Sequence, residues 1–145
     1  MKRLGTIDET RWWSKDSALR KVFGSYNNPS GALFMDIINS LTAILSSNKI
    51  KAVAKAKVKG FIESLLKFET ILTAQVYLRI FSFTTPLSKY LQTVQLDLLT
   101  AQRMVDKLLK NMHTLRDSFH DCYDAASKFV QWANDLLNEM ESLFQ

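Results

Sequence analysis

From residue 87 to residue 145 the chain contains neither glycine nor proline. Through that stretch apolar residues recur at alternating steps of three and four. They are Leu98, Ala101, Val105, Leu108, Met112, Leu115 and Phe119, then Cys122, Ala126, Phe129, Ala133, Leu136, Met140 and Leu143. This is the period of one helix face. Two separately capped helices are expected to lose phase at their joint. The unbroken phase therefore predicts one long helix over 98–143, or two nearly collinear ones with a weak joint near Asp117-Ser118. At 1.5 Å per residue such a helix is about 70 Å long. A globule of 145 residues is not that wide. The helix must protrude, fold back or find a partner chain. Ala101, Ala126 and Ala133 in its seam leave room for a neighbouring helix to approach closely.

The rest of the chain reads the same way. Ser14 is placed to cap a helix whose apolar residues are Ala18, Leu19, Val22, Phe23 and Tyr26. Gly24 and the run Ser25 to Pro29 stop it. Asn28-Pro29 then starts a second helix, because proline is tolerated at the first helical position. That helix carries Leu33, Phe34, Ile37, Ile38, Leu41, Ile44 and Leu45 on one side and ends at Ser46-Ser47-Asn48. A third helix is predicted from Ile50 to about Phe83, with Gly60 as its weak interior point. Its later part is apolar on most sides and belongs inside a bundle. Thr84-Thr85-Pro86 is expected to break it.

No periodic segment alternates strictly, and four glycines with two prolines are too few for a many-turned β fold. The expected architecture is an all-α helical bundle with a long C-terminal helix. Residues 1–145 form one domain: 1–13 an irregular lead-in, 14–83 the basic helices, 87–145 the long helical region. A single cysteine excludes an intramolecular disulfide. The opening MKRLGTIDET has no apolar core behind its basic residues and does not read as a signal peptide. The greasiest stretch, Ile71 to Phe83, is too short and too polar to span a bilayer. An intracellular protein with no membrane partner is expected.

Charge is spread unevenly. Residues 1–67 hold 12 Lys and Arg against 5 Asp and Glu, and residues 68–145 hold 7 against 9. Lys51, Lys55 and Lys59 sit four apart on one helix face, with Lys49 and Lys57 close by. Such a patch attracts phosphate backbones and anionic surfaces. The same residues also make an ordinary solvated face. No glycine-rich phosphate loop, GxSxG, HExxH or CxxC is present. His113 and His120 share a face, but Cys122 falls in the apolar seam, and zinc needs a closer, four-ligand set. Asp117, Asp121 and Asp124 form an acidic stripe. No catalytic residue, metal ligand, cofactor or small-molecule substrate is assigned.

Near the start, Arg11 stands beside Trp12 and Trp13, just ahead of a helix. A guanidinium with an indole suits a phosphate contact combined with base stacking. A tryptophan there can equally plug the end of a bundle.

Glu9-Thr10-Arg11-Trp12, followed by Ser14, Lys15 and Ala18-Leu19, resembles the (D/E)TRW-x-S-R-x-x-AL segment of hAT-superfamily DNA transposases. Leu87-Ser88-Lys89-Tyr90-Leu91-Gln92, Leu96 to Ala101 and Leu115-Arg116-Asp117 resemble later parts of the same family, in family order. The closest subset is the transposase-derived group of zinc finger MYM-type protein 1-like proteins. The resemblance covers roughly residues 6–135. Lys15 replaces the more usual arginine, and Trp13 is unusual at its position.

The resemblance implies an RNase H-like catalytic domain interrupted by a helical insertion, with this chain supplying the insertion. The family's three metal-binding carboxylates would lie outside it. The implied protein is not an enzyme by itself and acts in the nucleus. The expected function is weak, salt-sensitive DNA contact through Arg11, Trp12, Lys15, Lys51, Lys55 and Lys59. The rival is a helical interaction scaffold that self-associates along its long helix without binding nucleic acid.

Overall fold

The computed structural model describes residues 12–143, and the side chains of residues 13–139. Six helices follow one another: α1 (Trp12–Phe23), α2 (Phe34–Ser46), α3 (Ala52–Leu65), α4 (Phe68–Leu91), α5 (Leu98–Asp117) and α6 (Phe119–Leu143). Among the described residues there is no strand, only an isolated bridge between Ser25 and Asn28. The all-α bundle is as the periodicity predicts.

α4 is the central helix. It packs on α1, α5 and α6, while α3 lies mainly along α2. α4 buries Ile71, Ala74, Gln75, Leu78, Phe81, Thr85 and Leu87. The core gathers Phe23 of α1, Phe34, Met35 and Ile38 of α2, Ile71, Ala74 and Leu78 of α4, and Ala126, Phe129 and Ala133 of α6. Alanines at 74, 126 and 133 let α4 and α6 close in, and three phenylalanines fill the space above them. Phe23, Phe34 and Phe129 meet in tilted and edge-to-face pairs with centroids 5.1–5.7 Å apart.

The long seam is divided. α5 and α6 are separated at Ser118, whose N–H and hydroxyl both bond the carbonyl of Thr114. Of the two sequence alternatives, the joint at Asp117-Ser118 is the one found. The two helices are about 30 and 38 Å long. α5 runs antiparallel to α4: Pro86 and Leu87 face Met104 and Leu108 across one cleft. Further along, Phe68 at the start of α4 stacks edge-on against Tyr123 of α6, with centroids 5.1 Å apart. α4 thus receives both helices in turn, and the seam keeps its phase across the joint. Ala101, Leu115, Cys122, Ala126, Phe129 and Ala133 are buried. Leu98, Val105 and Phe119 are exposed instead.

Four boundaries differ from the sequence reading. α1 already includes Trp12, so Ser14 lies inside the helix and does not cap it. Its end is as predicted: Gly24 takes φ +79°, and a Cβ there would stand 2.5 Å from the carbonyl oxygen of Asn28. α2 starts at Phe34 and not at Pro29. Residues 29–32 form a turn closed by Ala32 N–H on the Pro29 carbonyl, and Leu33 N–H reaches back 2.9 Å to the Lys21 carbonyl.

The predicted helix Ile50–Phe83 is two helices. It breaks at Leu66-Lys67 and not at Gly60, and Thr70 Oγ1 donates 2.6 Å to the Ser64 carbonyl across the corner. No local breaker causes the turn. Ile62, Leu65 and Phe68 all pack against the core, and the chain must change direction to place all three there.

Pro86 does not end the run either: α4 continues through it to Leu91. An interior proline costs about 3 kcal/mol. Thr85 and Leu87 on either side of it are buried, and packing on α5 holds this turn helical. The helix ends where Thr93 Oγ1 donates 2.7 Å to the Tyr90 carbonyl. α5 then opens on a side-chain cap: Asp97 accepts from the backbone N–H groups of Leu99 and Thr100, both at 3.2 Å, and from the Thr100 hydroxyl.

Candidate nucleic-acid interface

α2 and α3 form a helical hairpin that carries most of the protein's net charge. Residues 34–67 hold six lysines (49, 51, 55, 57, 59 and 67) against Asp36 and Glu63, a net of +4 in a chain of net +5. α3 has no buried residue at all. Alanine and lysine are good helix formers, so local preference supports this segment alongside its half-buried side.

The lysines are not arranged as one outward stripe. The half-buried positions of α3 are Lys55, Val58, Ile62 and Leu65, a three-four-three spacing that marks the side turned to the rest of the protein. Lys51, Lys55 and Lys59 share a face, and that face overlaps this inner side. Lys55 is therefore half-buried, whereas Lys51 at the helix start and Lys59 are exposed. Lys59 Nζ stands 3.8 Å from Glu63 Oε1, both well exposed, a pair of little energetic consequence. The outward side presents Lys57 between Val53 and Phe61, which are 72% and 63% exposed. Neither Lys57 nor these two apolar residues is a site residue on sequence grounds. Their i, i+4, i+8 spacing is the signal that links them.

Of the other sequence-predicted site residues, Lys15 is exposed on α1. α1 packs on α4 and α3 on α2, so Lys15 belongs to a different part of the bundle from the α3 lysines. Arg11 lies outside the described residues, and so does the side chain of Trp12. Trp13 is half-buried and lines a cleft with Asp16 and Arg20.

The soft-ligand candidates are apart. No group of three or more His, Cys, Asp or Glu among the described residues could hold a metal ion. His120 Nε2 is 3.5 Å from Asp124 Oδ1, on the surface, and its ring stacks on Tyr123. Cys122 is buried beside Tyr26, and burial raises the pKa of both groups above the ordinary range. Arg79 covers the Tyr26 ring, with its guanidinium carbon 4.6 Å from the centroid. This cluster is a packed joint between α4, α6 and the turn after α1. No helix among the described residues is long and apolar enough to cross a membrane.

Compared with protein-family models, with curated proteins and with solved structures, the chain matches none.

Proposed function

We propose that this protein is a helical DNA-contacting module, catalytically silent by itself and working in the nucleus, in which the α2–α3 hairpin meets phosphate groups. The observation that carries this reading is the concentration of charge: a net +4 on a hairpin whose second helix has no fully buried residue. A helix of that kind contributes little to the core, and its lysines gain most from a polyanion. Affinity is weak and non-specific, because lysine contacts to phosphates carry no base information. The residues around Arg11-Trp12 and Leu87–Ala101 support descent from the helical insertion of a hAT-superfamily transposase.

The test is a salt titration of binding to a fluorescent duplex. Replacing Lys51, Lys55, Lys57 and Lys59 with glutamine should weaken binding to every duplex sequence alike. The slope of log K against log salt should flatten by about 0.9 for each phosphate no longer neutralised. Unchanged binding by the quadruple variant sinks the reading. So does tight binding to anionic vesicles without binding to duplex, since Val53 and Phe61 would then be membrane contacts.

One observation favours a second reading, self-association. Leu98, Val105 and Leu109 are exposed on one side of α5, within a span of three helical turns. A second copy of the chain could cover that strip as a neighbouring helix does in a coiled coil.

A further inference from the structure

One side of α1, the connection after it and the second half of α4 line an open cleft of about 590 Å³. That is the size of a small-ligand site. Arg20 and Lys21 reach it from α1 and Lys89 from α4, against the single carboxylate of Asp16. Asp16 is buried and already engaged, with Oδ1 2.6 Å from Arg20 Nε. Arg20 Nη1 also donates to Ser25 Oγ at 3.3 Å. The guanidinium is therefore held in a fixed orientation by two partners before any ligand arrives. Lys21 and Lys89 have no carboxylate partner among the described residues, so the cleft keeps an excess of positive charge.

Thr85 lines the cleft and is 7% exposed, and its Oγ1 has no hydrogen-bond partner among the described residues. That atom has less than 1 Å² of accessible surface, so it lies beneath the floor of the cleft and not in the ligand space. The carbonyls at the end of α1 are less of an obstacle to an anion than they would be in a bare helix. Those of Arg20 and Lys21 are taken by Gly24 N–H and Leu33 N–H, both at 2.9 Å.

From this we infer that the cleft is a binding site for a phosphomonoester, held between Lys21, Lys89 and the fixed guanidinium of Arg20. A phosphomonoester fits better than a carboxylate because its three terminal oxygens can serve cations from both α1 and α4. The inference does not depend on the α3 lysines, and the two sites fail independently. Residue spacing carries no sign of it, since Lys21 and Lys89 lie on different helices.

The experiment titrates the full chain with inorganic phosphate, adenosine 5′-monophosphate, adenosine, and a duplex oligonucleotide with and without a 5′-phosphate. Heat or amide chemical shifts report binding. Saturable binding of the monophosphate with a Kd below about 1 mM, and none of adenosine, is expected. Lys21→Glu combined with Lys89→Glu should weaken it at least tenfold. Thr85→Val should leave binding unchanged and the melting temperature unchanged or higher, because the closed-off hydroxyl reaches neither the ligand nor a partner. Preference for the 5′-phosphorylated duplex over both small phosphates would make the ligand a DNA end, and equal binding of all three a free phosphate group. Should the double variant fold poorly, the amides of Gly24, Gly31 and Thr85 must shift on adding phosphate to the unaltered chain. Absence of saturation with every phosphorylated probe overturns the inference. Shifts confined to α3, or binding indifferent to the double lysine variant, do so as well.

Discussion

Phe34 and Phe129 meet edge to face, with ring centroids 5.1 Å apart and ring planes at 84°. One ring comes from α2 and the other from α6, and both are almost fully buried. This contact ties the basic hairpin to the C-terminal half of the seam. Phe129→Ala should cost about 3–5 kcal/mol, the range for removing a buried ring without collapse of the site. Urea denaturation with an unchanged m value would measure it. A destabilisation below about 1 kcal/mol would mean that α6 does not close the core as described.

The two halves of the long seam should respond differently to charge. Leu115 is buried, so Leu115→Asp places an unpaired carboxylate in the core and should cost at least about 3 kcal/mol. Val105 belongs to the same sequence pattern but is exposed, so Val105→Asp should change stability by no more than about 0.5 kcal/mol. If α5 also mediates self-association, Val105→Asp lowers the average mass at high protein concentration. Light scattering on the two variants decides both points, provided Leu115→Asp is read alongside its melting curve.

Stability should fall on the alkaline side. Burial pushes both the Cys122 thiol and the Tyr26 hydroxyl above their ordinary values of 9.0 and 10.0. The unfolded chain therefore loses these protons first, and the folded state binds more protons through that window. Their contribution is complete below pH 9.0 and is lost as the pH climbs towards the raised folded values. Cys122→Ala should remove about one proton's worth of this slope. The buried thiol also gives a kinetic check: a disulfide reagent at about pH 8 should modify it only at the rate at which the protein opens.

On the acid side the α5 cap has the opposite sign. The hydrogen bond from the Thr100 hydroxyl, then those from the Thr100 and Leu99 N–H groups, hold Asp97 below its ordinary value of 3.8. Its contribution is complete above that value and is lost as the pH falls through the lowered folded one. Asp97→Ala should lower the melting temperature by a few degrees near neutral pH and by less in acid, where a protonated carboxyl keeps a capping oxygen but not its charge. Asp97→Asn, which keeps a capping oxygen, should lose the pH dependence and retain most of the stability.

Much of the helical content is legible in the sequence because amphipathic periodicity is a local property. The stripe on α2, the stop at Gly24 and the phase of 98–143 all follow from residue spacing. Candidate site residues are less legible. Lysine spacing identifies α3, but which lysines face outward depends on which side of α3 meets α2, and residue spacing on α3 alone does not record that. Lys55 is half-buried and Lys57 outward for this reason.

Local residue preferences suffice to make the chain helical, to set where its apolar stripes lie, and to concentrate its positive charge before residue 68. Each segment carries these preferences wherever it sits. Packing between helices is what makes the chain turn at Leu66-Lys67, where no breaker stands, and stay helical through Pro86, where one does. Packing also leaves Leu98 and Val105 facing solvent while Ala101 and Leu115 are buried on the same predicted seam. In each case a modest local cost or preference, at most a few kcal/mol, is outweighed by burial of several side chains around α4. That balance depends on neighbours distant in the chain, so no window of local sequence contains it.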